Sequence, residues 1–300
     1  MAMRRALLAL VSTVALGGCQ SAGWHAAEGA SAGIPTYDAV YERAEWRVGD
    51  LDRLWAIASV GLRYVDAEGD RHRDQGEGHF QVVRPETQVA LTIGKLGEVY
   101  LLLGCDAQRF WWINRTEERV AYVGAQAEAR ELALDQIGVP MLPTDLLILA
   151  DLNRWPEPGI SGAGEVSRSD RDFDHVRTVM VEFDEPGRRR RVYLNAQNFD
   201  PVGVDLLTDS GELIARSTLK NLMRVDNRID PTRPQWVPTR LVMEIPSAES
   251  RVEIELSHLE MSRRRPKAVV FNFDELVRRF GVKRIVEIGL DDPRRIGRAP

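Results

Sequence analysis

The segment Gln88–Ile113, QVALTIGKLGEVYLLLGCDAQRFWWI, decides the fold class. It holds three short runs rich in β-branched, leucyl and aromatic residues: Gln88–Ile93, Glu98–Leu103 and Arg109–Ile113. GKLG at Gly94–Gly97 and CDAQ at Cys105–Gln108 separate them. Glycine admits backbone angles closed to other residues, and an aspartate side chain can close a turn on its own backbone, so both interruptions read as hairpin turns. Successive hairpins make an antiparallel meander. The pattern extends outward in both directions. Ser59–Val65 and Gly76–Val83 come before, with the turn DAEGD at Asp66–Asp70, and Arg119–Val123 comes after NRTE at Asn114–Glu117. Strands resume at Val176–Phe183, Arg190–Asn195, Val202–Thr208, Leu213–Leu222, Trp236–Ile245 and Arg251–Met261, with DEPG at Asp184–Gly187 and DSG at Asp209–Gly211 as turns. Strand-helix-strand alternation is missing, which excludes a parallel nucleotide-binding sheet. The expectation is a mainly β (α+β) domain built on one large curved antiparallel sheet or incomplete β-barrel.

Three helical segments accompany the strands. Tyr37–Ile57 places Val40, Ala44, Leu51, Leu54 and Trp55 among its apolar positions, interrupted by Gly49. Gln126–Ile137 is the second. Thr144–Leu152 (TDLLILADL) is the third, with Thr144 as a cap and Pro143 barring the helix from running backward. This last segment is apolar almost all round, so it must be buried, and against a curved sheet it serves as a lid or plug.

At the N-terminus, Met1–Arg5 is basic and Ala6–Gly18 is an apolar run of thirteen residues, shorter than the ~20 a spanning helix requires. That is the architecture of an export signal. The sequence LGGC at Leu16–Cys19 resembles the bacterial lipobox, which implies cleavage before Cys19 and its acylation, with palmitate among the usual chains. Two or more acyl chains anchor a protein stably where one does not. Gln20 in place of aspartate favours the outer membrane. Gly-, Ala- and Ser-rich residues 20–34 read as a tether. The expected organisation is a signal peptide over 1–18, a tether over 19–36, a half-barrel domain over 37–275 and a basic tail over 276–300. From Ser262 onward there are eleven basic and five acidic residues, which either touch anionic lipid or are solvated.

The whole chain is 44% hydrophobic and 28% charged, with a net charge of −5, which fits a packed domain and argues against nucleic-acid binding. Its two cysteines exclude a disulfide scaffold, and with Cys19 acylated, Cys105 is expected to be a free thiol.

GEGHFQVVRP at Gly76–Pro85 resembles a strand of the lipoprotein carrier LolA and its membrane-anchored acceptor LolB, which ends in the same Gly-x-Gly and Arg-Pro arrangement. CDAQRFWWINRTEERVAY at Cys105–Tyr122 resembles the same superfamily's aromatic hairpin. YLNAQNFDPVGVDLLTDSG at Tyr193–Gly211, WVPTRLVMEI at Trp236–Ile245 and VFNF at Val270–Phe273 continue the likeness. The resemblance spans about Tyr37–Phe273. It implies an incomplete barrel with a helical lid over an apolar cavity that holds acyl chains. It further implies that Arg84 bonds lid backbone, a role that suits a permanently charged multidentate donor, although Arg84 reads equally well as a surface arginine ending its strand. LolB also uses an apolar protruding loop for transfer, whereas the Asp66–Asp70 turn is charged.

Candidate ligand-binding or lid residues are therefore Arg84, Phe110, Trp111, Trp112, Leu146 and Leu147. Strand alternation puts Phe110 and Trp112 on one face and Trp111 and Ile113 on the other, so only one pair can line the cavity. No catalytic constellation, metal site or cofactor motif is visible. The five histidines are scattered, and DRDFD at Asp170–Asp174 lacks the glycine and bidentate glutamate of a calcium loop. The functional expectation is a non-enzymatic, lipid-anchored envelope protein. It would bind an acyl chain or other hydrophobic ligand, with an envelope protein as a possible partner. The alternative is a scaffold whose barrel is filled by its own side chains.

Overall fold

The structure, a computed structural model, describes residues 33–65, 69–115, 119–126 and 142–289. Helix α1 (Tyr37–Val48) leads into six strands: β1 (Arg53–Val65), β2 (Arg71–Val83), β3 (Gln88–Lys95), β4 (Glu98–Cys105), β5 (Arg109–Asn114) and β6 (Val120–Ala125). The short helix α2 (Asp145–Leu149) follows. Then come β7 (Glu165–Phe173), β8 (Val176–Glu185), β9 (Arg188–Asn195), β10 (Pro201–Leu207), β11 (Leu213–Arg224), β12 (Asp226–Asn227), β13 (Trp236–Ile245) and β14 (Ser250–Met261). Helix α3 (Phe273–Phe280) and strand β15 (Arg284–Ile288) close the described chain.

All fifteen strands belong to one sheet, ordered β15-β6-β5-β4-β3-β2-β1-β14-β13-β11-β10-β9-β8-β7, with β12 pairing off this path to β14. Pairing along the path is antiparallel except between β15 and β6. The two meanders meet at the centre, where Ala58 of β1 lies between Gly78 of β2 and Leu256 of β14. The sheet is open, with β15 and β7 as its edges, and does not close into a barrel. The expected fold class is thus the observed one.

The sheet has a concave and a convex face. Alternation along β1 buries Leu54, Ala56, Ala58 and Val60 on the concave side, together with Phe80 and Val82 of β2 and Val89, Leu91 and Ile93 of β3. These join the main core with α1, α2 and the inward residues of β8–β14. Part of the convex face is covered too. After β14 the chain crosses it, placing Phe271 on Val83 and Ala90, and α3 on Leu102, Trp111 and Ile113, before β15 adds to the edge. The Gly-x-Gly of β2 has a steric cause: a Cβ on Gly78 would fall 1.8 Å from the Thr92 carbonyl oxygen.

Several sequence expectations are corrected. The helix expected over Tyr37–Ile57 ends at Val48, because Gly49 caps it, and residues from Arg53 onward alternate in burial with the period of a strand. The helix expected over Thr144–Leu152 is limited to Asp145–Leu149. Thr144 makes no side-chain cap bond; the Asp145 carboxylate instead accepts from the Leu142 amide at 2.9 Å. The basic tail expected from residue 276 is part of the domain as far as Ile288, since α3 runs across that boundary and β15 extends the sheet. Strand β7 carries no strand signal in the sequence. Its EVSRSDRDF has no apolar alternation because it is an edge strand, where charge discourages pairing with other chains. Cys19, the tether and the body of the Gln126–Ile137 helix lie outside the described residues.

Candidate functional site

A cavity of about 870 Å³ opens on the concave face at the end of the sheet where β1 turns into β2. One wall is Val60 and Leu62 of β1, Leu91 and Ile93 of β3, Leu101 and Leu103 of β4, and Trp112 of β5. The other is Met243 and Ile245 of β13 with Val252 and Ile254 of β14, and Leu142, Pro143 and Leu146 overhang it. Polar groups gather at the solvent-facing end, where Tyr64, Asp74, Gln75, Tyr100 and Asn114 stand. Gly76 makes room there, since a Cβ would fall 2.6 Å from the Tyr100 hydroxyl. The volume lies within the ~300–1,000 Å³ of small-molecule sites, and so does the combination of an apolar interior with few polar groups.

The expected aromatic residues are divided by strand alternation. Trp112 lines the cavity. Phe110 shares its face but is fully buried, edge-on to Trp112 with ring centroids 5.2 Å apart. Trp111 is on the opposite face, 5.8 Å from the Phe273 ring under α3, so it stands away from the cavity. Leu146 reaches the cavity, while Leu147 is buried in the core and does not line it.

Arg84 is at the far end of β1 and β2. It donates to the carbonyl oxygens of Val48 and of Leu51, the latter at 3.1 Å. It therefore holds the chain leaving α1, not α2, and is 9% exposed rather than a surface residue. Burial lowers its pKa to about 10.

The segment beneath which the core closes is fastened by polar bonds that sequence reasoning missed. Arg47, 1% exposed, pairs with the carboxylate of Asp151, 0% exposed, and donates to the Asp151 carbonyl oxygen at 3.0 Å. The other Asp151 carboxylate oxygen accepts from the Trp155 indole at 3.0 Å. Burial pushes the Arg47 pKa down and the charge of Asp151 opposes this. Around this pair, Arg188 donates to Asp145 at 2.8 Å, Arg190 to Asn153 at 2.8 Å, Ser217 to the Leu149 carbonyl at 2.6 Å and Tyr37 to the Pro156 carbonyl at 2.7 Å. A signal was present: Arg47 interrupts the α1 stripe of Val40, Ala44 and Val48, so a charge stood where an apolar residue was due.

Two other features frame the site. At the tip of the β3–β4 hairpin, Leu96 is 97% exposed with φ of 54°, an apolar side chain held into solvent. On the convex face, a second cavity of about 570 Å³ has a mixed lining that includes Ile57, Ser59, Glu77, His79, Lys95 and Leu96. Burial, then the charges of Arg265 and Lys267, lower the His79 pKa. No helix among the described residues is long and apolar enough to cross a membrane, and none of their His, Cys, Asp and Glu side chains group as a metal site.

An open sheet with an inner helix and an apolar cavity on its concave face defines a half-barrel. A known structure agrees on the fold. The chain is similar to a domain from Vibrio parahaemolyticus described as an outer membrane lipoprotein-sorting protein domain, with a TM-score of 0.53 and 13% identity over 77% of this chain and 94% of that one. A LolA superfamily protein from Nitrosomonas europaea has a TM-score of 0.47 and 16% identity over 80% of this chain and 99% of that one. A DUF1329 family protein from Desulfovibrio piger has a TM-score of 0.44 and 13% identity over 79% and 98%. No protein-family model and no curated protein sequence matches the chain. The likeness is one of fold, and it agrees with the LolA/LolB resemblance read from the sequence.

Proposed function

We propose that the chain is a non-enzymatic, lipid-anchored protein of the bacterial envelope. Held through Cys19 and facing the periplasm from the outer membrane, it takes an acyl chain or another hydrophobic molecule into the concave cavity. The observation that carries this reading is the apolar cavity itself, which the side chains of the described residues leave open although they fill the rest of the concave face. Each buried methylene contributes ~0.8 kcal/mol. Ten of them gain roughly 8 kcal/mol against an association cost of ~4–15 kcal/mol, so long chains bind and short ones do not. The exposed Leu96 supports a role in passing the ligand on, the step for which the LolB resemblance implies an apolar protruding loop. A scaffold with a self-filled barrel fits the plugged half of the sheet alone.

The full chain carrying Cys19→Ser tests both parts. It should leave the membrane fraction for the soluble one, and should then bind the uncharged fluorescent probe N-phenyl-1-naphthylamine saturably, with acyl compounds displacing the probe more strongly as they lengthen. Leu101→Asp, which puts a charge on the cavity wall, should weaken probe binding at least tenfold with an unchanged circular dichroism spectrum. Retention on membranes would sink the anchor, and no saturable binding by a folded protein would sink the cavity reading.

A further inference from the structure

Building on that cavity reading, the geometry points to a ligand class: an acyl amphiphile with an uncharged, hydrogen-bonding head, such as a glycerol ester, selected over the free fatty acid by Asp74. Among the described residues that line the cavity, Asp74 alone carries a charge at neutral pH. It stands at the solvent-facing end, where it is exposed, and no cation neutralises it among the described residues; its side-chain partner is the Tyr64 hydroxyl, at 3.3 Å. The Tyr100 phenol is near enough for Asp74 to act on it: burial, then that carboxylate, raise its pKa and keep it a hydrogen-bond donor.

The neighbouring cations do not offset this charge. Arg71 and Arg73 alternate with Asp74 along β2 and so project to the convex side, and Arg73 pairs across the strands with Arg63 of the same face. His72 shares the face of Asp74 and stacks on Tyr64 with ring centroids 5.1 Å apart, but is not part of the lining. Among the described residues, a head at the mouth therefore meets one carboxylate with the polar groups of Gln75 and Tyr100. An acyl carboxylate there suffers like-charge repulsion, whereas a hydroxyl-bearing ester can donate to Asp74 and accept from Tyr100. The apolar wall holds both chains equally. Selection then falls on the head.

The test uses the full chain carrying Cys19→Ser, with N-phenyl-1-naphthylamine as reporter and two competitors of one chain length, myristic acid and its uncharged monoglyceride. It is run at pH 8, where histidines are ordinarily neutral. The monoglyceride should displace the probe at about five- to fiftyfold lower concentration than myristate, the spread between a water-screened and a partly desolvated repulsion. That ratio should shrink as salt is raised, and Asp74→Asn should bring it near one by improving myristate alone. Asp74 is exposed, so the variant folds. A wild-type ratio of one, or the same ratio in Asp74→Asn, overturns the inference while leaving the cavity reading intact. Failure of the probe itself to bind overturns the cavity reading and the inference with it.

Discussion

The two halves of the concave face are made alike and used differently. Both present aliphatic residues from successive strands: Val60, Leu91 and Leu103 on the β1–β5 side, and Val181, Val192, Val204 and Leu219 on the β8–β11 side. On the second side α1, α2 and Trp155 fill the concavity, with the Trp155 and Tyr37 rings against Phe183 at 5.1 and 6.1 Å. On the first side, among the described residues, the overhang of Leu142–Leu146 leaves about 870 Å³ open. Apolar surface alone therefore does not decide whether a face becomes core or binding site. The difference is whether the chain brings its own occupant and fastens it there.

The fastening is the strongest point at which to break the comparison. Replacing Asp151 with Ala leaves the Arg47 guanidinium buried without its counter-charge and the Trp155 indole without its acceptor. Removing one partner of a buried pair costs ~3–5 kcal/mol, so urea unfolding should show a loss of that size. The double variant Arg47→Met, Asp151→Leu removes both charges together and should recover much of it. If the single variant stays folded, loosening of the plug should add probe binding in the half that is now closed. A loss below 1 kcal/mol would mean that apolar packing alone holds α2.

A smaller effect sharpens the contrast by comparing one change of size in both halves. Ala215, fully buried opposite Leu206, has no room, and Ala215→Leu should cost ~1–3 kcal/mol by overpacking. Val252, half-buried on the cavity wall, has room, and Val252→Leu should change stability by less than ~0.5 kcal/mol while weakening probe binding. Equal costs at the two sites would mean that the cavity closes in solution.

This contrast also marks how far the sequence could be read. Alternation and turn residues specify the meanders, and they separate Trp112 from Trp111, because a strand's period is two whatever it packs against. Short-range patterns could not disclose which occupant a face receives. Whether TDLLILADL covers the cavity or fills the other half depends on Arg47, Arg188 and Ser217, which reach it from 104, 43 and 68 residues away. Thr144, not Asp145, reads as the cap from sequence alone, because only the bent backbone before α2 brings the Asp145 carboxylate to the Leu142 amide. The edge strands were hidden for another reason. RIVEI of β15 and EVSRSDRDF of β7 bury little, so selection for burial leaves no pattern to read.

The mildest prediction asks whether the half with the cavity is otherwise as closed as its neighbour. Strand β4 runs from the cavity, at Tyr100 to Leu103, to Cys105, which is fully buried near the far end of the sheet with its thiol 3.4 Å from the Thr87 carbonyl oxygen. Burial pushes this thiol up from 9.0 to about 12. The unfolded thiol ionises near its ordinary value and the folded one does not, so above pH 9 the unfolded state binds fewer protons and stability falls as pH rises toward 12. The contribution is fully present below pH 9, and its loss approaches ~1.4 kcal/mol per pH unit within the window. Tyr37, raised to about 12 by burial, adds to the loss only above pH 10. Unfolding curves of the wild type and Cys105→Ala should therefore draw closer as pH rises from 9 to 10, where the thiol acts alone. Native Cys105 should resist iodoacetamide at pH 8 and react once denaturant is added. Ready alkylation of the native thiol would show that solvent travels the length of β4, and that the open part of this half extends well beyond the cavity.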